Sequence, residues 1–306
     1  MAAFSTLVDD LPVLGVGASL SFGVQPDPVA LAEHPRGPSF IEYAGAVQHT
    51  FLAGPMNALK KLGVPLLYHP SCLNLCGPWR NPASWLDAVD AHVKAAGSPW
   101  LAQDVAVCFA TDTPGYSIQL GYFVPPILTE RTLTQAVERV SEVQERVQAP
   151  LLLEPAPVTF VAGDMDIFTW LGGLAERTDS GLLLDAGHVV SHQLARGAAL
   201  DEGLDVLDLD RVIEMHIAGG VIEVDEGTGR QVYLDAHDLP ILPETWQVAR
   251  TLLERCTNLR AVCVECEGTL AGAVLPMLEQ CRQRVEAITA NPALREVVDA
   301  ELARGS

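Results

Sequence analysis

Basic residues are scarce in this chain: Lys and Arg number 19 against 39 Asp and Glu, a formal charge of -20 over 306 residues. Such an anionic surface repels phosphate backbones and acidic lipid, which argues against nucleic acid or a membrane surface as partner. No stretch approaches the roughly 20 consecutive apolar residues that a bilayer-crossing helix needs. The opening MAAFSTLVDDLP lacks the basic start and apolar centre of a secretory signal, so a cytoplasmic protein is expected. The seven cysteines are odd in number and scattered, unlike a secreted disulfide framework. Cys263 and Cys266 form a Cys-x-x-Cys, but the alternation in AVCVECE puts them on one strand with side chains on opposite faces, where they cannot grip one ion. Low-complexity tracts, internal repeats and a Pro/Gly/Ser linker are also missing, so residues 1–306 read as a single domain.

What the chain does have is a series of short apolar runs that end in a polar or small residue. VLGVGASL, SFIEYAG, PLLYHPS, WLAQDVAV, PLLLEPAP, GLLLDAGHV, VIEMHIAGG and AVCVECEG are eight strand candidates. Helical periods separate them, as in TERTLTQAVERVSEVQERV, where Thr129 is placed to cap the first turn. NPASWLDAVDAHVKAAG, DMDIFTWLGGLAERT and PETWQVARTLLERC are similar, and a helical tail follows from about residue 271. Alternating strands and helices imply parallel crossovers, and eight units in this length suggest a closed (β/α)8 barrel, the TIM barrel, rather than an open sheet. The first two crossovers, 21–38 and 48–63, are poor in helical pattern. The long polar segment 222–243 is expected to form a loop or hairpin over the barrel mouth.

In such a barrel the carboxyl ends of the strands converge on one mouth. Here those ends supply His69, Asp104, Glu154, Asp185, His188, His216 and Glu265, with Asp235 and His237 in the long segment after the seventh strand. Every one is a metal-ligand type. Several carboxylates in a low-dielectric mouth repel one another and cost several kcal/mol unless neutralised. No strand end offers an arginine, so bound cations are the expected counter-charge, and there are donors enough for two or three. Mixed histidine and carboxylate ligation suits Fe, Mn or Zn better than Ca or Mg. His34, His49, His92 and His192 read as surface residues, Tyr43, Tyr68 and Asn74 as hydrogen-bond partners behind the ligands, and Gln144 as solvent-facing. In GLLLDAGHVV, Gly187 is expected to give the turn the backbone freedom that brings His188 to the mouth.

The motifs YHPSCLNLCG, GYFVPPILTERTL, LLLEPAP, GLLLDAGHVV, VIEMHIAGG, LDAHDLPI and AVCVECEG, in this order, resemble those of the multinuclear non-heme iron-dependent oxidases of methanobactin and thiaglutamate biosynthesis, over roughly residues 13–267. The resemblance implies a TIM barrel holding two or three irons that activates dioxygen and oxidises a residue of a ribosomally made precursor peptide, often with a partner protein that captures the peptide's leader. It also implies iron ligation by His69, Glu154, Asp185, His216, Asp235, His237 and Glu265; Asp185, His188 and Glu265 are taken as catalytic. The chain departs from the family pattern at five places. Ala102-Gln103-Asp104 replaces Ser-Glu-His, Pro155 an Asn, and Asp185-Ala186-Gly187-His188 the usual Asp-Val-Asn-Asn, while Gly220 stands for a His and Ala46-Val47 for Glu-Asn. His188 is expected to compensate for the histidine missing at Asp104. Asp-x-Gly-His resembles the xylose-isomerase-like sugar isomerases and apurinic endonucleases, so two alternatives stay open: a Mn- or Zn-dependent isomerase or hydrolase, and a non-catalytic peptide-binding barrel.

Overall fold

The computed structural model describes residues 4–45, 48–113, 116–238 and 240–305, so the departure at Ala46-Val47 lies outside the described residues. The strands are β1 (Gly15–Ser19), β2 (Ile41–Tyr43), β3 (Leu66–Tyr68), β4 (Leu101–Asp104), β5 (Val107–Thr113) and β6 (Tyr116–Val124), followed by β7 (Leu151–Glu154), β8 (Gly181–Asp185), β9 (Val212–Ile217), β10 (Gly220–Val224), β11 (Gln231–Asp235) and β12 (Ala261–Glu265). The helices are α1 (Phe4–Leu7), α2 (Pro28–Ala32), α3 (Ala53–Lys61), α4 (Ala83–Ala96), α5 (Glu130–Arg146), α6 (Ile167–Thr178), α7 (Ala186–Arg196), α8 (Pro243–Arg255), α9 (Ala271–Ile288) and α10 (Pro292–Gly305).

The eight apolar runs become the eight strands of one closed parallel barrel, β1-β2-β3-β4-β7-β8-β9-β12, closed by pairing of β12 with β1. This is the expected (β/α)8 architecture. The helices form where the periodicity placed them: Thr129 caps α5 by accepting from the Thr132 amide at 3.3 Å, and Asp166 caps α6. The polar segment after β9 is an antiparallel hairpin, β10–β11. A second hairpin, β5–β6, follows β4 and was not expected, although Thr-Pro-Gly between alternating runs is a turn signal.

Strand alternation divides the core into two. Outward residues such as Ile41, Leu66, Leu101, Leu153, Leu184, Met215 and Val264 pack against the helices. Inward residues form a separate cluster at the amino-terminal end: Phe40, Leu67, Ala102, Leu152, Leu183 and Cys263, with Trp100 and, from the chain start, Phe4, Leu11 and Leu14. Gly17 is obligatory in this plug, because a Cβ there would lie 2.5 Å from the Phe40 ring. Cys263 faces this plug and Cys266 the helices, and both are free thiols. One step of two residues toward the mouth, the same inward face turns from apolar to ionisable.

Candidate metal centre

Adjacent parallel strands in register bring their inward ends side by side: Asp104 lies beside Glu154, Asp185 beside His216, and Ser19 beside Glu265. Ser19, Asp104, Glu154 and Glu265, together with Glu42, His69, His188, Asp235, His237 and Glu267, line a cavity of about 280 Å3 at the mouth, and Asp185 and His216 join the site just behind this lining, in a trio with Glu265. Asp235 and His237 arrive from the β10–β11 hairpin and the segment after it, and Phe123 of β6 completes the wall. Larger grooves lie elsewhere, including one of about 710 Å3 lined by Trp246, Met277 and Arg284, whose lining has no histidine or carboxylate.

All nine expected site residues are therefore brought together. Glu154 sits among three histidines, with Oε2 3.3 Å from His69 Nε2 and Oε1 3.1 Å from His188 Nδ1 and 3.8 Å from His216 Nδ1. Asp104 stands 3.2 Å from His69 Nε2, Glu265 3.3 Å from His216 Nδ1, and Asp235 3.1 Å from His237 Nε2. Asp104 thus keeps a donor position beside His69. His188 approaches the other oxygen of Glu154, on the side away from His69.

Two acids of the cavity and one just below it were missed. Glu42, fully buried on β2, has Oε1 3.0 Å from His216 Nε2 and 3.6 Å from His69 Nδ1. Glu214, one step below His216 on the same inward face, accepts from Trp100 Nε1 at 2.7 Å. Glu267 pairs with His237 Nδ1 at 2.8 Å. The signals were present: Glu42 and Glu214 each lie at even spacing from residues of the inward face, Glu214 in the Glu-x-His of VIEMHI.

GLLLDAGHVV folds differently from expectation. Asp185 ends β8 and at once caps α7, accepting from the His188 amide at 2.6 Å, so His188 reaches the mouth on the first helical turn. Gly187 has an ordinary helical backbone; what requires glycine is Tyr233, whose hydroxyl a Cβ would meet at 2.3 Å. Tyr233 also fills the space beside Gly220, the position where the family pattern has histidine. Two histidines expected at the surface are buried. His92 stacks on Tyr68, with ring centroids 3.8 Å apart, and bonds the Tyr43 hydroxyl at 2.9 Å, while His192 bonds the Ala156 carbonyl at 3.0 Å, and burial pushes it down to about 4. His34 is exposed and His49 half-buried. Tyr43 and Tyr68 face the helices rather than the ligands, Asn74 secures the backbone of β5, and Gln144 tethers α5 to Thr178 and Ser180.

The electrostatics are those of an unfinished site. Every ion-pair partner of the cavity carboxylates among the described residues is a histidine; none is Arg or Lys. Burial opposes protonation of His69, His188 and His216, yet the surrounding carboxylates lift all three well above the ordinary range. His237, with burial likewise overcome by Glu265 and Asp235, is pushed up to about 12. Burial would raise Glu42, Asp235 and Glu265, but neighbouring histidines hold them low. Burial dominates at Asp185 and Glu214, each raised to about 7, and raises Glu154 with help from Asp104.

The residues fit metal ions. Glu42 Oε2, Glu154 Oε2, Asp185 Oδ2, Asp235 Oδ1, Glu265 Oε2 and both ring nitrogens of His216 are buried without an aligned hydrogen bond, an arrangement costing about 1–3 kcal/mol per neutral group and more per charge. Although His216 Nε2 lies 3.0 Å from Glu42, it does not point at that oxygen. Two donors each about 2.0–2.2 Å from a shared ion stand roughly 3–3.5 Å apart, aimed at the ion and not at each other. Three trios bring donor atoms within 4.8 Å of one another: Glu42, His69 and His216; His69, Asp104 and Glu154; Asp185, His216 and Glu265.

The chain matches the family model of the RiPP precursor modification enzyme MbnB/TglH/ChrH over residues 29–290. A UPF0276 protein of Rhizobium meliloti is 30% identical over 250 residues, covering 80% of this chain and 78% of that one. A UPF0276 protein of Streptomyces avermitilis is 27% identical over 252 residues; the match takes in 81% of this chain and only 50% of the longer relative. Among solved structures, a xylose isomerase domain protein from Planctomyces limnophilus superposes with a TM-score of 0.59 at 11% identity, covering 90% of this chain and 99% of that one, a likeness of fold alone.

Proposed function

Because the chain belongs to the RiPP precursor modification enzyme MbnB/TglH/ChrH family, we propose that it is an iron-dependent oxidase that uses dioxygen to modify a residue of a precursor peptide. The observation carrying this reading is the ring of buried histidine and carboxylate donors, several of their atoms without an aligned hydrogen bond and, among the described residues, with no arginine or lysine paired to them. Two or three irons would be held by His69, Asp104 and Glu154, by Asp185, His216 and Glu265, and by His188, Asp235 and His237. When bound, iron supplies redox equivalents and a site for dioxygen, chemistry that no side chain here provides. Mn or Zn would fit the same donors, and metal identity is therefore part of the test.

The protein's own part is to hold and orient. Glu154 lies between His69, His188 and His216, with one oxygen toward His69 and the other toward His188 and His216, so it would help to hold an ion. The low-dielectric cavity strengthens every charge interaction inside it and restricts water. The peptide would enter past the β5–β6 hairpin, which puts Phe123 into the cavity wall and exposes Ile118 and Tyr122 to an apolar partner. A leader-capturing protein would deliver it. Among the described residues no helix is long and apolar enough to cross a membrane.

The test is aerobic incubation of iron-loaded protein with the precursor peptides encoded beside its gene. Oxygen uptake together with a mass change on one peptide is expected. Iron-replete, folded protein that changes none of them, or an active protein filled with zinc, would overturn the reading.

A further inference from the structure

Glu267 was not among the expected site residues, yet it makes the shortest contact to the ring of any of the four histidines of the site. Its Oε2 lies 2.8 Å from His237 Nδ1 in an aligned hydrogen bond, and its Oε1 accepts from the buried hydroxyl of Ser19 on β1. Two residues on, the buried Thr269 donates its hydroxyl to the His237 carbonyl at 2.6 Å. Thr269 and Cys266 close a tight turn, with Gly268 at φ +80° between Glu267 and Thr269, and the Cys266 amide is itself anchored on the Ser19 carbonyl at 3.1 Å. One turn after β12 therefore grips both the ring and the backbone of a residue carried by a different segment, two positions past the end of β11.

The grip fixes the ring's chemistry. With Nδ1 committed to Glu267, Nε2 is the nitrogen left to give up its proton to a metal, and it faces Asp235 at 3.1 Å, in a second hydrogen bond, and Glu265 at 3.4 Å. His188 shows the same division: Nδ1 bonds the Pro155 carbonyl at 3.0 Å, and Nε2 faces Asp235 at 3.5 Å. A ligating histidine commonly donates its other N–H to a carboxylate or carbonyl in this way, which sets its tautomer and raises its basicity.

We propose that Glu267, steadied by Ser19, is a positioning residue that presents His237 to the metal through Nε2 and is not itself a ligand. This rests on the reading that the mouth holds metal. Zinc(II) binding to the metal-stripped full-length protein, followed by competition with a chromophoric chelator, tests it. Glu267→Ala is expected to weaken zinc binding about 10- to 100-fold and to add nothing to the loss caused by His237→Ala. Glu267→Gln keeps an acceptor for Nδ1–H and should recover most of the loss. Ser19→Ala should cause a smaller loss in the same direction, and it decides the matter if Glu267→Ala fails to fold. In zinc-loaded protein, 15N spectra should show a slowly exchanging His237 Nδ1–H that disappears in Glu267→Ala.

Unchanged zinc affinity in Glu267→Ala would overturn the proposal, as would a Glu267→Ala/His237→Ala double variant clearly weaker than His237→Ala alone, which would make Glu267 a ligand. Wild-type protein that binds no zinc, or an Asp185→Ala control that binds as well as wild type, would remove the metal reading and the proposal together. Normal behaviour of those two controls confines any failure to Glu267.

Discussion

The lower and upper layers of the barrel interior are built by the same strands, one residue pair apart. Phe40 gives way to Glu42, Leu67 to His69, Ala102 to Asp104, Leu152 to Glu154, Leu183 to Asp185 and Cys263 to Glu265. The lower layer is apolar and sealed by Phe4, Leu11 and Leu14, and each fully buried large side chain there contributes about 1.5–3 kcal/mol. The upper layer is as deeply buried and holds charges whose partners are only one another. One scaffold thus keeps its stability in one layer and its reactivity in the next, and the first tolerates the repulsion stored in the second. Glu214 is the exception, a carboxylate let down to the lower layer and held there by Trp100.

Substitutions that exchange the character of the two layers separate them most sharply. Asp185→Asn preserves the cap on α7, since Asn accepts the same amide bond, but removes a donor from the trio with His216 and Glu265. Peptide turnover should fall by more than the roughly 100-fold that loss of an outer partner costs. The metal-free variant should nonetheless melt above metal-free wild type, because Glu265, Asp235 and Glu154 no longer oppose a buried charge at position 185. Metal analysis and calorimetry on the same samples check both halves; a variant that keeps its metal, or melts lower, breaks the contrast between the layers.

Leu183→Ala, one step below, should do the reverse. It should cost about 2–5 kcal/mol in denaturant unfolding and leave the number of bound metals unchanged. Loss of metal at full stability would show the layers to be less separate than described.

A smaller effect distinguishes them by pH. Burial lifts Asp185 and Glu214 to about 7, so the stability gained by keeping them protonated is complete below about pH 4 and is lost as pH rises through about 7. The histidines act in the same sense: raised well above their ordinary value, they stabilise while charged and cease to do so only as pH passes their elevated range. Metal-free protein should therefore melt a few degrees lower at pH 8 than at pH 5. Metal-loaded protein should not, since the ions replace the protons and bind better as pH rises. Equal slopes with and without metal would contradict this.

Much of this was legible in the residues, because a buried parallel strand leaves a simple trace: an apolar run broken where the chain reaches the mouth. His69, Asp104, Glu154, Asp185, His216 and Glu265 were found in that way. Glu42 escaped because β2 is only three residues long and its acid falls inside SFIEYAG, before the run seems to end. Glu267 lies beyond its strand, and nothing local reveals that the turn at 266–269 closes over His237. His92 and His192 were misplaced because a histidine on a helix gives no sign of burial until its partner across the interface is known; here those partners are Tyr43 and the Ala156 carbonyl. Gly187 was rightly singled out for the wrong reason, since the constraint comes from Tyr233, some 46 residues away in sequence.

The most direct measurement is the metal content of the folded protein purified without oxygen, with anomalous scattering to locate each ion. Two or three ions per chain, chiefly iron, all within the cavity between Glu42 and Asp235 and lost on Glu154→Ala, are what the proposed function predicts. Folded protein that takes up no ion in the presence of excess Fe(II), or that binds ions only outside this cavity, would contradict it.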